Sequence, residues 1–147
     1  MKKLIPPVLV LLLLAALVLL EALHPRALAM RPDAPMPWDV ALILGLAVLF
    51  WGRWHFKRNS AEIHTFKAPN GLLTDGPFRY SRNPMYLGFL LLLVAAAFYV
   101  NTWCALAAPL IFLAAASFWY IPHEEHRLRS LFGAAYDSYT KQTRRWI

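Results

Sequence analysis

The chain has 147 residues, of which 59% are hydrophobic, well above the roughly 45–50% typical of soluble domains. This length suits one domain over residues 1–147, and the single cysteine, Cys104, excludes an intramolecular disulfide. The net charge of +7 could suit nucleic acid, but the basic residues flank apolar segments, so we expect a membrane protein that binds no nucleic acid.

The first apolar segment, Leu4–Leu23, is interrupted only by Glu21 near its end. Its length is close to the roughly 20 residues that cross a bilayer core. Lys2 and Lys3 before it, with Ala27-Leu28-Ala29 after it, resemble a signal peptide with its cleavage site. The apolar segment is longer than the roughly 7–15 residues usual in signal peptides, so we expect a retained helix, with cleavage as the alternative.

Three more apolar segments follow, and none carries a polar stripe at helical spacing. They are Trp38–Trp54, Met85–Val100 and Trp103–Ile121. Only Asn101 and Thr102 separate the last two, which predicts a tight antiparallel hairpin. The fold class we expect is all-α, a polytopic membrane protein with four transmembrane helices.

The basic residues are distributed unevenly between the loops of this four-helix topology. Thirteen of the fifteen fall on one side, before helix 1, between helices 2 and 3, or after helix 4. Such a bias marks the cytoplasmic side. We therefore expect an integral protein of the bacterial inner membrane, with both termini cytoplasmic.

The segment after helix 4 predicts two further helical stretches. His123–Phe132 has helical spacing, and Gly133 is a typical stop. Residues Ala134–Trp146 resume a basic, amphipathic pattern, which predicts a C-terminal interfacial helix along the membrane surface. His123 and His126 are three residues apart, one short of the zinc-protease spacing, so we expect no metal site.

The stretch GPFRYSRNPMYLG, residues 76–88, places two arginines just before the third helix. Arg79 and Arg82 could simply anchor the chain at lipid phosphates. That interpretation leaves Pro84 and Gly88 unexplained. Proline suits the first turn of a helix, and glycine admits a close backbone or ligand. The free N–H groups at the helix start would suit an anion, with Arg82 able to bind it through two donors.

The predicted hairpin brings two motifs to the same side of the membrane. Arg82–Gly88 offers positive charge and backbone donors, while Glu124 and Glu125 offer two carboxylates. This combination would suit a zwitterionic ligand that carries a carboxylate, a cation and hydroxyl groups.

The same two motifs resemble the isoprenylcysteine carboxyl methyltransferase / phospholipid methyltransferase family of integral membrane enzymes. The family pattern is roughly G-x-[YF]-x-x-x-R-[HN]-P-x-Y-x-G, followed by E-E-x-x-L-x-x-x-F-G-x-x-Y-x-x-Y-x-x-x-x-x-R. This sequence matches both parts, in GPFRYSRNPMYLG and in EEHRLRSLFGAAYDSYTKQTRR. The resemblance covers about residues 70–147, which would form the cofactor-binding core, while the first two helices match only as generic membrane spans.

The resemblance implies S-adenosylmethionine as cofactor, held without a Rossmann fold. It also implies a set of cofactor-binding residues, with Glu124 at the polar end of the cofactor: Asn70, Gly71, Leu72, Leu73, Phe78, Arg82, Asn83, Pro84, Met85, Tyr86, Glu124 and Glu125. No catalytic base is identified, and Arg82, Glu125, His123 and His126 are candidates for assisting the reaction.

Two departures from the family pattern bear on the site. Asn83 stands where the prenylcysteine enzymes carry histidine, which leaves cofactor binding plausible but not a histidine-dependent role. Tyr120 stands on the substrate side, where those enzymes carry arginine. An arginine would suit a carboxylate acceptor, whereas tyrosine leaves room for an amine, a thiol or another lipophilic nucleophile.

The expected function is methyl transfer to a small lipophilic or lipid-linked acceptor that arrives from the bilayer, among membrane lipids. Phospholipid N-methylation and thiol S-methylation are alternatives within the same class. A non-enzymatic membrane scaffold is the alternative from a different class, and a reductase on a related fold would need a nicotinamide for which we find no phosphate-binding loop. Nothing in the sequence indicates an oligomeric state.

Overall fold

The computed structural model describes residues 5–23, 37–60 and 72–147, and 85% of these residues are helical, with no strand among them. The predicted all-α class is therefore confirmed. The α-helices of the described ranges are α1 (Pro6–Leu23), α2 (Trp38–Ser60), α3 (Pro84–Val100), α4 (Ala107–Ala115), α5 (Ile121–Phe132) and α6 (Ala134–Gln142). Two short 3₁₀ turns, Gly76–Arg79 and Trp103–Leu106, and one π turn, Ala116–Tyr120, connect them.

Three helical segments of the described chain are long and apolar enough to cross a membrane: Pro6–Leu23, Trp38–Arg58 and Trp103–Phe132. Helix α3 is apolar but has only 17 residues. At 1.5 Å per residue it is about 26 Å long, slightly less than a hydrocarbon core of roughly 30 Å. The count of four spans and the hairpin between the last two therefore stay predictions.

The predicted helical stretches Trp103–Ile121 and His123–Phe132 are both helical, and they join into one continuous helix over the 30 residues of Trp103–Phe132. Two prolines lie within it. Pro109 falls in the first turn of α4, where a missing N–H is tolerated. Pro122 follows the π turn, whose wider hydrogen-bond pattern accommodates the lost i→i−4 bond.

Helices α2 and α3 cross with their backbones almost in contact. A Cβ placed on Gly88 would lie 3.0 Å from the backbone nitrogen of Leu49 and 3.1 Å from the carbonyl oxygen of Gly45. A Cβ on Gly45 would in turn lie 3.2 Å from the Gly88 carbonyl oxygen. The close approach expected at Gly88 is confirmed, and the backbone that approaches it belongs to α2. Small residues at such crossings are typical of membrane helices.

The buried core lies where α1 packs against α3 and α4. Val10 and Leu17 of α1, Leu93 of α3 and Phe112 of α4 belong to this core. The outward surface of the bundle is also apolar, and Phe118 is 84% exposed. An apolar exterior of this kind matches a helical bundle that is surrounded by lipid.

Helix α5 ends at Gly133, as predicted, with a φ of 48° at that glycine. The expected helix to Trp146 is too long, because α6 ends at Gln142 and Thr143 is extended, with φ −125° and ψ 132°. We call residues 143–147 the C-terminal strap. This segment leaves the helix because it forms hydrogen bonds with the 79–83 segment instead.

The tyrosines of α6 face the protein interior. Tyr136 is 1% exposed and Tyr139 is also buried. The apolar face of this helix therefore covers other parts of the chain, and its predicted position along the membrane surface stays a prediction.

Candidate functional site

The segment that precedes α3 is attached to α2. The His55 Nε2 atom lies 3.0 Å from the Asp75 Oδ1 atom, and the His55 ring lies 6.2 Å from that of Phe78. The hydrogen bond from His55 holds the pKa of the Asp75 carboxyl below its ordinary value. This contact fixes the beginning of the 3₁₀ turn against α2, next to the start of α3.

The C-terminal strap lies against the same segment on its other side. The backbone N–H of Arg82 donates to the carbonyl oxygen of Arg144 at 3.0 Å. The side-chain amide of Asn83 donates to the carbonyl oxygen of Arg145, also at 3.0 Å. These bonds link the residue pair Arg82–Asn83 to a part of the chain 62 residues away.

Helix α6 adds a further bond to this segment. The Tyr139 hydroxyl donates to the Phe78 carbonyl oxygen at 2.6 Å. Burial raises the pKa of Tyr139 to about 12, so the hydroxyl keeps its proton at any physiological pH. The turn that contains Phe78 is thus held by α2 and by α6.

Glu125 lies between two arginines. Its Oε1 atom is 3.1 Å from Arg82 Nη2, and its Oε2 atom is 2.7 Å from Arg145 Nη2. Arg145 also donates through Nε to Oε1 at 3.1 Å, so it binds the carboxylate with two donors. Glu125 is only 8% exposed, and the cluster carries one more positive than negative charge.

One donor of this cluster has no partner. Arg82 Nε is buried and makes no hydrogen bond within the described part of the chain. A buried donor left unpaired costs about 1–3 kcal/mol. A ligand atom that accepts a hydrogen bond could satisfy this donor.

Glu124 and Tyr86 form a second pair. The Tyr86 hydroxyl donates to Glu124 Oε1 at 2.8 Å, across 38 residues of sequence. The Tyr86 ring lies 6.3 Å from the rings of both Tyr120 and Phe112, in stacked orientation. Tyr86 is buried while Glu124 is exposed, so this pair joins the packed interior to an accessible carboxylate.

Comparison with known families shows where this chain belongs. A family model described as phospholipid methyltransferase matches residues 39–135 of this chain. The chain belongs to the phospholipid methyltransferase family. The resemblance predicted from the two motifs is confirmed. With three helices among the described residues long and apolar enough to cross a membrane, this family member is an integral membrane protein.

Comparisons with individual proteins add no functional argument. One curated relative, Serpin-Z2A of Oryza sativa subsp. japonica, is 38% identical over 60 residues. That match covers 40% of this chain and 14% of the length of the rice protein, too little to transfer a property. No solved structure matches this chain.

Most of the sequence-predicted site residues of this family member lie close together. Arg82 contacts Glu125, Tyr86 contacts Glu124 and stacks on Tyr120, and Asn83 binds the strap. Pro84 and Met85 lie against α2. A Cβ built on Gly52 of α2 would be 3.4 Å from the Met85 side chain and 3.6 Å from that of Pro84. Leu72 and Leu73 are half-buried, and Asn70 and Gly71 lie outside the described residues.

The sequence reasoning missed Arg145 and Tyr139. Both occupy positions of the family pattern quoted above, as its last arginine and its second tyrosine, and that pattern was the signal available. Their partners are distant in sequence, so no spacing rule could have identified them.

Proposed function

We propose that this protein transfers a methyl group from S-adenosylmethionine to a lipophilic acceptor that enters from the bilayer. The observation that carries the proposal is the contact between two motifs from different helices. Arg82 and Tyr86, at the start of α3, bind Glu125 and Glu124 of α5 within 3.1 Å. Family membership supplies the reaction class, and these four side chains supply the polar groups for a zwitterionic cofactor.

The residues present fit such a cofactor. The buried, unpartnered Arg82 Nε can donate to a carboxylate, and exposed Glu124 can accept from an ammonium or a hydroxyl group. The bound cofactor would supply a methyl group already activated on a sulfonium. The chain then has to align the acceptor with that methyl group and exclude water, and both tasks suit a site between packed helices.

The acceptor we favour is an amine. The Tyr120 ring lies beside Tyr86, whose hydroxyl binds the Glu124 carboxylate, and an aromatic ring near a carboxylate favours a cationic headgroup. A carboxylate acceptor would be repelled by Glu124 and would find no arginine at position 120. An ammonium acceptor must lose a proton before its lone pair attacks the methyl carbon, and His123 and His126, which flank the glutamate pair in sequence, are the candidates to accept that proton.

We also propose that the site opens to the cytoplasm for the polar cofactor and sideways to the bilayer for the acceptor. The positive-inside bias of the sequence supports this orientation. Residues 1–147 would act as one domain, with residues 70–147 as its cofactor-binding core.

The test is an acceptor panel with the purified protein and methyl-labelled S-adenosylmethionine. The panel contains phosphatidylethanolamine vesicles, a lipophilic thiol and a prenylated cysteine analogue with a free carboxyl group. We expect label in the amine lipid. Label only in the thiol or the carboxyl compound would contradict the amine preference, and no transfer to any acceptor would contradict the proposed enzyme. Glu124→Gln should transfer less label than wild type, and Asp137→Asn, which removes an exposed carboxylate outside the site, should behave as wild type.

A further inference from the structure

We propose that Arg145 is a positioning residue for the cofactor site, acting through the Glu125 carboxylate and through its own carbonyl group. The inference rests on the proposed function. Arg145 lies ten residues beyond the end of the family match at residue 135, and the family pattern quoted above contains this arginine without giving it a role.

The side chain of Arg145 occupies both oxygens of Glu125. Its Nη2 donates to Oε2 at 2.7 Å and its Nε to Oε1 at 3.1 Å. Arg82 therefore reaches Glu125 with Nη2 alone, at 3.1 Å from Oε1. This division of donors leaves Arg82 Nε unpaired and available for a ligand.

Loss of the Arg145 side chain would change which donors bind the two oxygens of Glu125. Glu125 is buried, and a buried carboxylate oxygen without a donor is strongly unfavourable. The nearest remaining donor is the Arg82 guanidinium, whose planar fork can bind both carboxylate oxygens. Arg82 would then turn its Nε toward Glu125, and the donor offered to the ligand would be lost.

The backbone of Arg145 acts on the neighbouring residue. Its carbonyl oxygen accepts from Asn83 Nδ2 at 3.0 Å and from Ser81 Oγ at 3.4 Å. Ser81 Oγ in turn accepts from the backbone N–H of Asn83 at 3.1 Å. The side chain of Arg145 fixes the strap, and the strap fixes the orientation of the Asn83 amide at the start of α3.

The experiment compares Arg145→Ala and Arg145→Lys with Arg127→Ala, which removes an exposed arginine of α5 two residues from Glu125. Binding of S-adenosylmethionine is measured by calorimetry in detergent. We expect about tenfold weaker binding for Arg145→Ala, only partial recovery for Arg145→Lys because an ammonium cannot bind both oxygens, and no change for Arg127→Ala.

A double variant separates positioning from general structural support. In a Glu125→Gln background, Arg145→Ala should cost much less than tenfold, because the charged partner through which it acts is gone. Additive losses would overturn the proposal, as would wild-type affinity in Arg145→Ala. If Arg145→Ala does not fold, Arg145→Lys in both backgrounds decides the same question.

Hydrogen exchange at the amides of residues 81–83, measured without cofactor, tests the role of Arg145 independently of the proposed function. Faster exchange in Arg145→Ala than in Arg127→Ala supports the role of Arg145 even if the wild-type protein binds no S-adenosylmethionine. Equal exchange in the two variants overturns it.

Discussion

Arg79 and Arg82 are three residues apart, yet their side chains have opposite environments. The side chain of Arg82 is 13% exposed and pairs with Glu125, whereas Arg79 is exposed. The carbonyl group of Arg79 accepts a hydrogen bond from the Thr143 hydroxyl at 3.4 Å, and this contact would survive any change of the Arg79 side chain. The charge of Arg82 is tolerated near the bundle because a buried carboxylate compensates it.

Arg82→Lys should therefore impair methyl transfer while Arg79→Lys should not. Lysine keeps the charge of Arg82 but loses the planar fork that contacts Glu125 and offers Nε to a ligand. Loss of one charge-assisted hydrogen bond costs about 1.5–3 kcal/mol, which is roughly tenfold or more in cofactor affinity. Turnover and cofactor affinity are measured for both variants. Wild-type rates in both would mean that the two arginines are only membrane anchors.

Glu124→Gln should weaken cofactor binding by roughly tenfold or more, because the amide keeps the shape of the side chain but loses the charge. The Tyr86 hydroxyl can still donate to the amide oxygen of the glutamine, so the packing at Tyr86 should be kept. Calorimetry on Glu124→Gln and on the control Asp137→Asn gives the comparison. Equal affinities in wild type and Glu124→Gln would remove Glu124 from the site.

At the scale of elements, the position of the site depends on how closely α2 and α3 cross. Gly88 is in contact with the backbone of α2, whereas a Cβ on Gly52, further along α2, would make only ordinary contacts at 3.4–3.6 Å. Gly88→Ala requires a backbone shift, and overpacking of this kind costs about 1–3 kcal/mol.

We expect Gly88→Ala to lower the midpoint of thermal unfolding in detergent clearly, and Gly52→Ala to change it little. Both variants add one methyl group to the same helix pair. A difference between their midpoints therefore reports how closely the two backbones approach at Gly88. Similar midpoints for both would show that the crossing does not limit stability.

The apolar segments predicted the helices well, but not where they end. The sequence did not show that the helical stretches join over Trp103–Phe132, because the π turn that connects them cannot be recognised from composition. The sequence did not predict that α6 ends at Gln142. Ser81 and Asn83 donate hydrogen bonds to the strap, and these bonds favour an extended strap over a longer helix. The bonded residues are distant in sequence, so a local pattern cannot reveal them. The two motifs predicted that Arg82 and Glu125 are neighbours, whereas the second arginine on Glu125 became evident only from the fold.

At the scale of the whole molecule, the topology decides from which side the cofactor enters. The basic residues predict that the segment between α2 and α3 and the C-terminus lie together on the cytoplasmic side. Reporter fusions after Lys67 and after Ile147 should both report a cytoplasmic location. A fusion that reports the opposite side would place the Arg82–Glu125 cluster away from the cofactor supply.

The most direct test of the central claim is binding of S-adenosylmethionine to the purified wild-type protein, because it does not depend on knowing the acceptor. We predict saturable binding in calorimetry that S-adenosylhomocysteine competes with and that a reduced nicotinamide dinucleotide does not. Absence of binding by folded protein would contradict a methyltransferase and favour a scaffold, and binding of the nicotinamide dinucleotide in its place would favour a reductase.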